Sequence, residues 1–422
     1  FLAQVRDLVS AAMASKSKTQ RLADTAAAWL FYVAVIGALI TGLAWGFVGQ
    51  DVSFVLQRVV TVVVTVCPHA LGVAIPLVTS LSTTMAAQRG LLIRNRVAFE
   101  KAKNIDTVVF DKTGTLTEGR FTVADVKILE GDEAKVLGIA KALGLKSTHP
   151  LDQAIVAYAE SRKAPDFPIS HWKSVPGQGL YAECRGRKVA AVSTGIALGL
   201  AKEGNSLETI MAVNKGTSLV CIMAADRLLG VIALRDAPRT SAAAAVAELK
   251  SMGIRPVMLT GDNGKAASLV AKEVGIDTVI ANVLPAQKSK YVAELKRQGH
   301  KVAMTGDGIN DAPALALADL GIAIGAGTDI AVNTADVVLV RSNPEDVVRL
   351  LKLSKLTYRK MIENLVWALA YNVLALPVAA GAFHYVGFDL SPAIGAIAMA
   401  ASTIIVSANA MLMKREGAKD KR

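Results

Sequence analysis

Four stretches of this sequence, residues 26–48, 54–81, 362–385 and 390–413, stay apolar over about the 20 residues that a helix needs to cross a bilayer. Hydrocarbon offers no water to a bare N–H or C=O, so such stretches fold as helices, here as two hairpins near opposite ends of the chain. Their connections, "GFVGQDVSF" and "HYVGFDLSP", hold no Lys or Arg, whereas "SKSKTQR", "QRGLLIRNRVAFEKAK" and "MKREGAKDKR" are rich in them. Positive charge stays on the cytoplasmic side, which puts both termini and the long central segment there. Arg58, close to the outer end of the second stretch, runs against that rule and is expected to snorkel.

Basic residues flanking the spans account for the formal charge of +12. Nucleic acid is not an expected partner, because only 5% of the 422 residues are aromatic and no zinc-finger or RNA-binding signature accompanies the charge. Membrane lipid is. Three scattered cysteines, Cys67, Cys184 and Cys221, match no CxxC pair or disulfide framework and suit a reducing cytoplasm.

Between residues 100 and 349 the pattern changes to soluble α/β. Short β-branched runs, "DTVVF", "RPVMLT" and "KVAMTGD", alternate with Ala-, Leu- and Lys-rich helical stretches. Each run ends in a cluster of Asp, Thr and Gly, which a doubly wound parallel sheet would line up along its carboxyl edge, where ligands bind. Shorter elements between 120 and 235 suggest an α+β domain inserted into the first. In "VVFDKTGTLTEG" a buried strand delivers Asp111, and the Gly-containing turn offers backbone N–H groups and the Thr113 and Thr115 hydroxyls to an anion. A carboxylate so placed can attack a phosphoryl group and carry it as an acyl phosphate. "LTGDNG" adds Thr260, Gly261 and Asp262; "AMTGDGINDAP" adds Asp307, Asn310 and Asp311. Asp111 and Asp307, with Thr113, suit Mg²⁺, a hard ion that prefers oxygen. Lys288, in "LPAQKSK", could neutralise charge on the transferred group.

Three such strand ends with "DKTGTLT", "TGD" and "GDGINDAP" resemble the P-type ATPases, haloacid-dehalogenase-like phosphotransferases in which the Asp of "DKTGT" is phosphorylated. The resemblance covers essentially the whole chain. It implies a phosphorylation domain at 100–119 and 236–349, a nucleotide-binding domain at 120–235, transmembrane hairpins at 26–99 and 350–413, a connector helix at 1–25 and a basic tail at 414–422. "STHPL" resembles the family's Ser-Glu-His-Pro element, which implies an ATP-contacting role for His149; "GQGLYA" matches its Gly-x-Gly-x-x-Ala loop, with Gly177 and Gly179. Relatives often carry Glu five residues before this His, where Gly144 stands here.

The stretch "VVTVVVTVCPHALGVAIPLV" places a thiol, a helix breaker and an imidazole in mid-membrane. Pro68 has no N–H for the helix and opens the backbone there, a break tolerated where it lines a buried site. Cys67 and His69 flank it with sulfur and nitrogen for a soft or borderline metal. Cys-Pro-His resembles the copper-exporting subgroup of metal-transporting P-type ATPases, as do "YNVLALP" with Tyr371 and Asn372 and "MAASTIIVSANA" with Met399 and Ser402. The resemblance implies ATP-driven copper export through a phospho-aspartate intermediate, with Mg²⁺, in a prokaryotic plasma membrane with the catalytic domains cytoplasmic. A zinc or cadmium pump, and a non-transporting phosphatase or metal-binding membrane module of the same fold, stay open. No Thr-Gly-Glu element is present. In relatives it lies on an actuator domain upstream, so the sequence reads as the C-terminal part of a longer pump, with further transmembrane segments preceding it.

Overall fold

A computed structural model of the chain describes residues 18–175, 178–200, 217–262, 264–307, 311–325 and 334–419. Among the described residues, four helical segments are long and apolar enough to cross a membrane: within Lys18–Phe47, across Val52–Gln88, within Glu345–Ala379 and within Pro392–Lys419. Several of their hydroxyls turn back onto their own helices, as Thr41 does to the Gly37 carbonyl (2.7 Å) and Thr61 to that of Gln57 (2.6 Å), so no neighbour has to satisfy these; those of Thr65 and Thr79 are buried without a partner. Small residues set the approach distance. A Cβ on Gly42 would lie 3.1 Å from Val59, and one on Gly395 would lie 2.4 Å from the Thr65 hydroxyl.

The second span is two helices, Val52–Thr65 and His69–Gln88. Val66 still donates to Val62, but the ladder stops there and restarts with Leu71 and Gly72 donating to the Pro68 carbonyl. The helix fails because Pro68 cannot donate to Val64. Other boundaries differ from expectation. The first helix is unbroken from Lys18, so 18–25 continue the span, and residues 1–17 lie outside the described part. The third begins at Glu345 and ends at Ala379, where Gly381 adopts φ +87° beside the Trp45 indole, a left-handed C-terminal stop that glycine accepts at no steric cost. The fourth helix continues through the basic tail to Lys419. Arg58 does not snorkel. It is 2% exposed, pairs with Asp389 at 3.1 Å and donates to the Leu390 carbonyl, so the outer loop of the second hairpin reaches over to meet it.

The soluble part holds two sheets. β1 (Leu91–Ile93), β2 (Thr107–Asp111), β9 (Arg255–Leu259), β10 (Thr278–Ile280), β11 (Val302–Gly306), β12 (Leu320–Ile324) and β13 (Val337–Leu339) form one, in the order β1-β13-β12-β11-β2-β9-β10. All pairs are parallel except β1 with β13. Helices cover both faces, so the strands are apolar throughout rather than alternating. The other sheet is antiparallel, β3 (Thr117–Ile128), β8 (Arg227–Pro238), β7 (Ser218–Ala224), β6 (Arg187–Ser193), β5 (Gly179–Cys184) and β4 (Ile169–Val175). It leaves the first sheet through β3 and returns through β8, its hydrogen-bonded neighbour.

The membrane helices join the parallel sheet through a buried arginine. Arg96, fully buried, donates to Ser82 (2.7 Å) and Thr83 (3.2 Å) of the helix below, and Glu100 lies 3.9 Å away. Glu100 in turn accepts from the Thr19 hydroxyl, and Ser354 donates to the Phe99 carbonyl. Burial pulls Arg96 down to about 10, still charged at neutral pH. For the outer pair, Asp389→Ala leaves the Arg58 guanidinium unpaired, and we expect a loss of about 1–3 kcal/mol in thermal unfolding of the protein, most of it recovered in Arg58→Met/Asp389→Ala. A double variant no more stable than Asp389→Ala would show that the pair does not tie the hairpins.

Candidate functional site

Asp111 ends β2, the strand flanked by β9 on one side and β11 on the other, where the winding of the sheet reverses. That is the crevice position of open parallel sheets. The chain then turns sharply through residues 112–116, with Gly114 at φ +72°. Lys288, on the helix Pro285–Arg297, reaches across the sheet edge and donates at 2.7 Å to both Asp111 and Asp311. Its ammonium and the two carboxylates are almost completely buried. Burial, then the nearby Asp311 charge, pushes Asp111 up to about 7 against the pull of Lys288. Burial lowers Lys288, but the two carboxylates outweigh it and hold its pKa above the usual value. The second Asp311 oxygen, Oδ2, and the hydroxyls of Thr115 and Thr305 are buried with no hydrogen-bond partner. Oδ2 sits against Gly306, where a Cβ would come within 2.2 Å of it.

The other strand ends converge on the same edge. Thr260 caps its own loop by accepting from the Asp262 N–H at 3.1 Å, and Asp262 forms an ion pair with Lys112. Gly261 lies between them. Asp307 is exposed, and a Cβ on Gly114 would lie 3.6 Å from its carboxylate, so it faces the turn after Asp111. Thr113 is exposed beside it. Asn310 lies outside the described residues. The oxygens of Asp111, Asp307 and Thr113 fit Mg²⁺, which takes one or two carboxylates and keeps waters or phosphate for its other positions. No group of three or more His, Cys, Asp or Glu able to hold a metal occurs among the described residues.

Three residues of this site escaped sequence reasoning. Asp236 accepts from the Thr117 hydroxyl (2.5 Å) and the Gly119 N–H (3.0 Å), and Arg239 donates to the Gly114 and Thr115 carbonyls at 3.0 and 3.1 Å. Burial raises Asp236 and lowers Arg239 from their usual values. Asp236 fastens the start of β3 to β8, and Arg239, the residue after β8, fastens the turn after Asp111. "RDAPR", charged residues on both sides of a proline at the end of an apolar strand, was the available signal. Lys112, which follows Asp111 directly, is the third.

In the antiparallel sheet, His149 caps the helix Pro150–Ser161, its Nδ1 accepting from the Leu151 N–H at 3.3 Å while the ring stays exposed. Gly179 opens β5 at φ +140°, where a Cβ would meet the Ala191 carbonyl at 2.2 Å. Gly177 lies outside the described residues. Gly144 is buried where two helices cross, and a Cβ there would lie 2.8 Å from Val156 and 3.1 Å from the Asp152 carbonyl. The crossing therefore excludes the glutamate that relatives often carry.

At the break in the second span, Cys67 and His69 are both exposed. Asn372 is buried, its Nδ2 donating to the Ala368 carbonyl and its Oδ1 unpartnered. Tyr371 donates to the Gly395 carbonyl at 3.4 Å, Ser402 is buried and Met399 half-buried. No hydrogen bond or ion pair among the described residues joins Cys67 and His69 to these four, so the structure brings them to one bundle without closing them into a ligand set.

A haloacid dehalogenase-like hydrolase model matches residues 105–319. The chain is 47% identical over 416 residues to copper-exporting P-type ATPase B of Archaeoglobus fulgidus, covering 98% of this chain and 60% of that one. It is 43% identical over 418 residues to copper-exporting P-type ATPase B of Enterococcus hirae, covering 98% and 56%. The chain thus spans about 60% of the length of the curated relatives it matches. Among solved structures, a zinc-transporting PIB-type ATPase in its E2.Pi state superposes with a TM-score of 0.79 at 30% identity, over 97% of this chain and 66% of that one. The catalytic domain CopB-B of a CPx-ATPase superposes with a TM-score of 0.54 at 30% identity, over 65% and 99%.

Two substitutions test the geometry. Gly306→Ala should push Asp311 away from Lys288 and lower phosphorylation by ATP at least about tenfold with the fold retained; wild-type rates would mean that this contact is not needed. Gly144→Glu, the residue that relatives often have, should cost about 1–3 kcal/mol in thermal unfolding by overpacking, and unchanged stability would show that the crossing gives way easily.

Proposed function

Because this chain belongs to the P-type ATPases, within the haloacid dehalogenase-like hydrolases, we propose that it is the catalytic and ion-site part of an ATP-driven copper exporter. The observation that carries the proposal is the pairing, in one chain, of a buried strand-end aspartate held by Lys288 with a Cys-Pro-His break in a membrane helix. ATP is bound by the antiparallel domain at His149, Gly177 and Gly179. Asp111 attacks the γ-phosphorus, the bond to the β,γ-bridging oxygen breaks, and ADP leaves with that electron pair. Thr113, Thr260 and Gly261 cradle the transferred group; Lys288 offsets its charge; Asp262, Asn310 and Asp311 complete the edge. Asp111, Thr113 and Asp307 would hold Mg²⁺, which when bound supplies charge neutralisation at the phosphate oxygens.

Formation and loss of the acyl phosphate then bias two arrangements of the spans, so that Cys67 and His69 face the cytoplasm in one and the outside in the other. Sulfur at Cys67 and Met399 favours Cu(I), while His69, Tyr371, Asn372 and Ser402 add harder donors. Hydrolysis of the acyl phosphate is assigned to the actuator that longer relatives carry upstream. The protein is integral to a membrane, here read as the prokaryotic plasma membrane with the catalytic domains cytoplasmic.

Zinc is the second reading, because a solved structure that this chain matches over 97% of its length is of a zinc-transporting pump. Titrating ATPase activity of the full-length protein with Cu(I), Cu(II), Zn²⁺ and Cd²⁺ separates them. We expect stimulation by copper, lost in Cys67→Ala and in Asp111→Asn. Stimulation by zinc or cadmium alone would discard the metal and keep the pump; activity indifferent to metals and to Cys67 would sink the transport reading.

A further inference from the structure

Two openings meet at Tyr358, one turn before Ile362, where the third apolar run begins. Towards the sheet is a cavity of about 360 Å³ lined by Thr19, Lys101, Lys103, Asn104, Lys301 and Tyr358, among others. Towards the membrane is a groove of about 660 Å³ along the same helix, lined by Tyr358, Arg359, Ile362, Val366 and Trp367, with Glu363 at its side. The two differ in chemistry. In the cavity, Lys103 lies over the Tyr358 ring, and neither it nor Lys101 or Lys301 has an acidic partner within ion-pair distance among the described residues. The two acids of the cavity are already engaged. Glu100 accepts from Thr19 beside Arg96, and Asp319 accepts from the Val302 N–H and pairs with Lys296. In the groove, Val366 and Trp367 expose more than half of their surface, 58% and 59%.

We propose that these openings form one site for an anionic phospholipid of the cytoplasmic leaflet, its phosphate among Lys101, Lys103 and Lys301 and an acyl chain along Ile362, Val366 and Trp367. Basic pockets beside spans on the cytoplasmic side attract such headgroups. Free phosphate would match the lysines but not the groove, and a neutral lipid the groove but not the lysines. From Ile362 to Trp367 the helix rises about 7.5 Å, half of the roughly 15 Å of hydrocarbon in one leaflet, so the groove takes the part of an acyl chain next to the headgroup. The lipid would bridge the first helix near Thr19, the turn before β2 and the third span, and so hold the sheet to the membrane.

The test uses the full-length protein in phosphatidylcholine nanodiscs with and without phosphatidylglycerol, counting lipids retained by native mass spectrometry. We expect phosphatidylglycerol to be retained over phosphatidylcholine, and retention to fall about fivefold or more in Lys101→Gln/Lys103→Gln/Lys301→Gln. Trp367→Ala should weaken it, and Lys103→Arg should preserve it. Lys188→Gln/Lys272→Gln, exposed lysines far along the sequence, serve as the control for charge alone and should leave retention unchanged. Equal retention of the two lipids, or a triple variant that retains phosphatidylglycerol like wild type, overturns the site. So does competition by millimolar inorganic phosphate or glycerol phosphate as effective as that of the lipid, which would assign the lysines to a soluble anion.

Discussion

A lysine between two buried carboxylates organises the catalytic end of this molecule. Asp111 and Asp311 come from opposite ends of the domain in sequence, and without Lys288 their like charges could not share a dry site. The helix that carries Lys288 must therefore lie across the carboxyl edge of the sheet, and Asp311, beyond β11, must sit under it. Gly306 makes that possible, since any side chain would displace the Asp311 oxygen. Even so, Asp111 is held near neutrality, its pKa raised to about 7 by burial and by Asp311. Asp111 and Asp307 would hold Mg²⁺ in the proposed reading, and its charge there would favour the ionised form of Asp111.

The same edge anchors the inserted domain. The chain leaves the parallel sheet one turn after Asp111 and returns beside itself on β8, so the two connections form a hinge of paired strands. Asp236 ties β8 to the start of β3 by accepting from Thr117 and Gly119, and Arg239, just past β8, holds the turn by donating to Gly114 and Thr115. A domain swinging on β3 and β8 would thus pull on the turn that carries the exposed Thr113. The backbone adds to this, with the Arg239 N–H donating to the Leu116 carbonyl and the Thr117 hydroxyl close to that of Lys112, so the turn after Asp111 and the two connecting strands are tied together at several points.

Most of this was readable from the chain because its chemistry is local in sequence. Asp111, Thr260 and Asp307 each close a β-branched strand, and parallel pairing alone brings such ends together. Pro68 was readable for a covalent reason, the missing N–H. What escaped notice depends on long-range contacts that no local pattern carries. Asp236 and Arg239 act on a turn more than a hundred residues earlier. Arg58 was expected to reach for water, yet Asp389 from the other hairpin comes to it. Gly144 marked a missing contact in the sequence and proves to be the floor of a helix crossing.

The covalent path between the two sites is short and unevenly stiff. From His69 one helix runs to Gln88, passes directly into β1, the antiparallel edge of the parallel sheet, and then through the helix Arg96–Lys101 to β2 and Asp111. Arg96 crosses the one loose corner of that path and grips Ser82 and Thr83, at the cost of burying a guanidinium that nothing but hydroxyls and Glu100 neutralises. A hinge at residues 89–95 would break those bonds. A displacement of the sheet therefore passes into the membrane helix, where it meets two missing backbone hydrogen bonds, at Pro76 inside the helix and then at Pro68, where the ladder stops. Cys67 and His69 stand on either side of the break at Pro68, so one of the two places where the path can yield also carries a thiol and an imidazole.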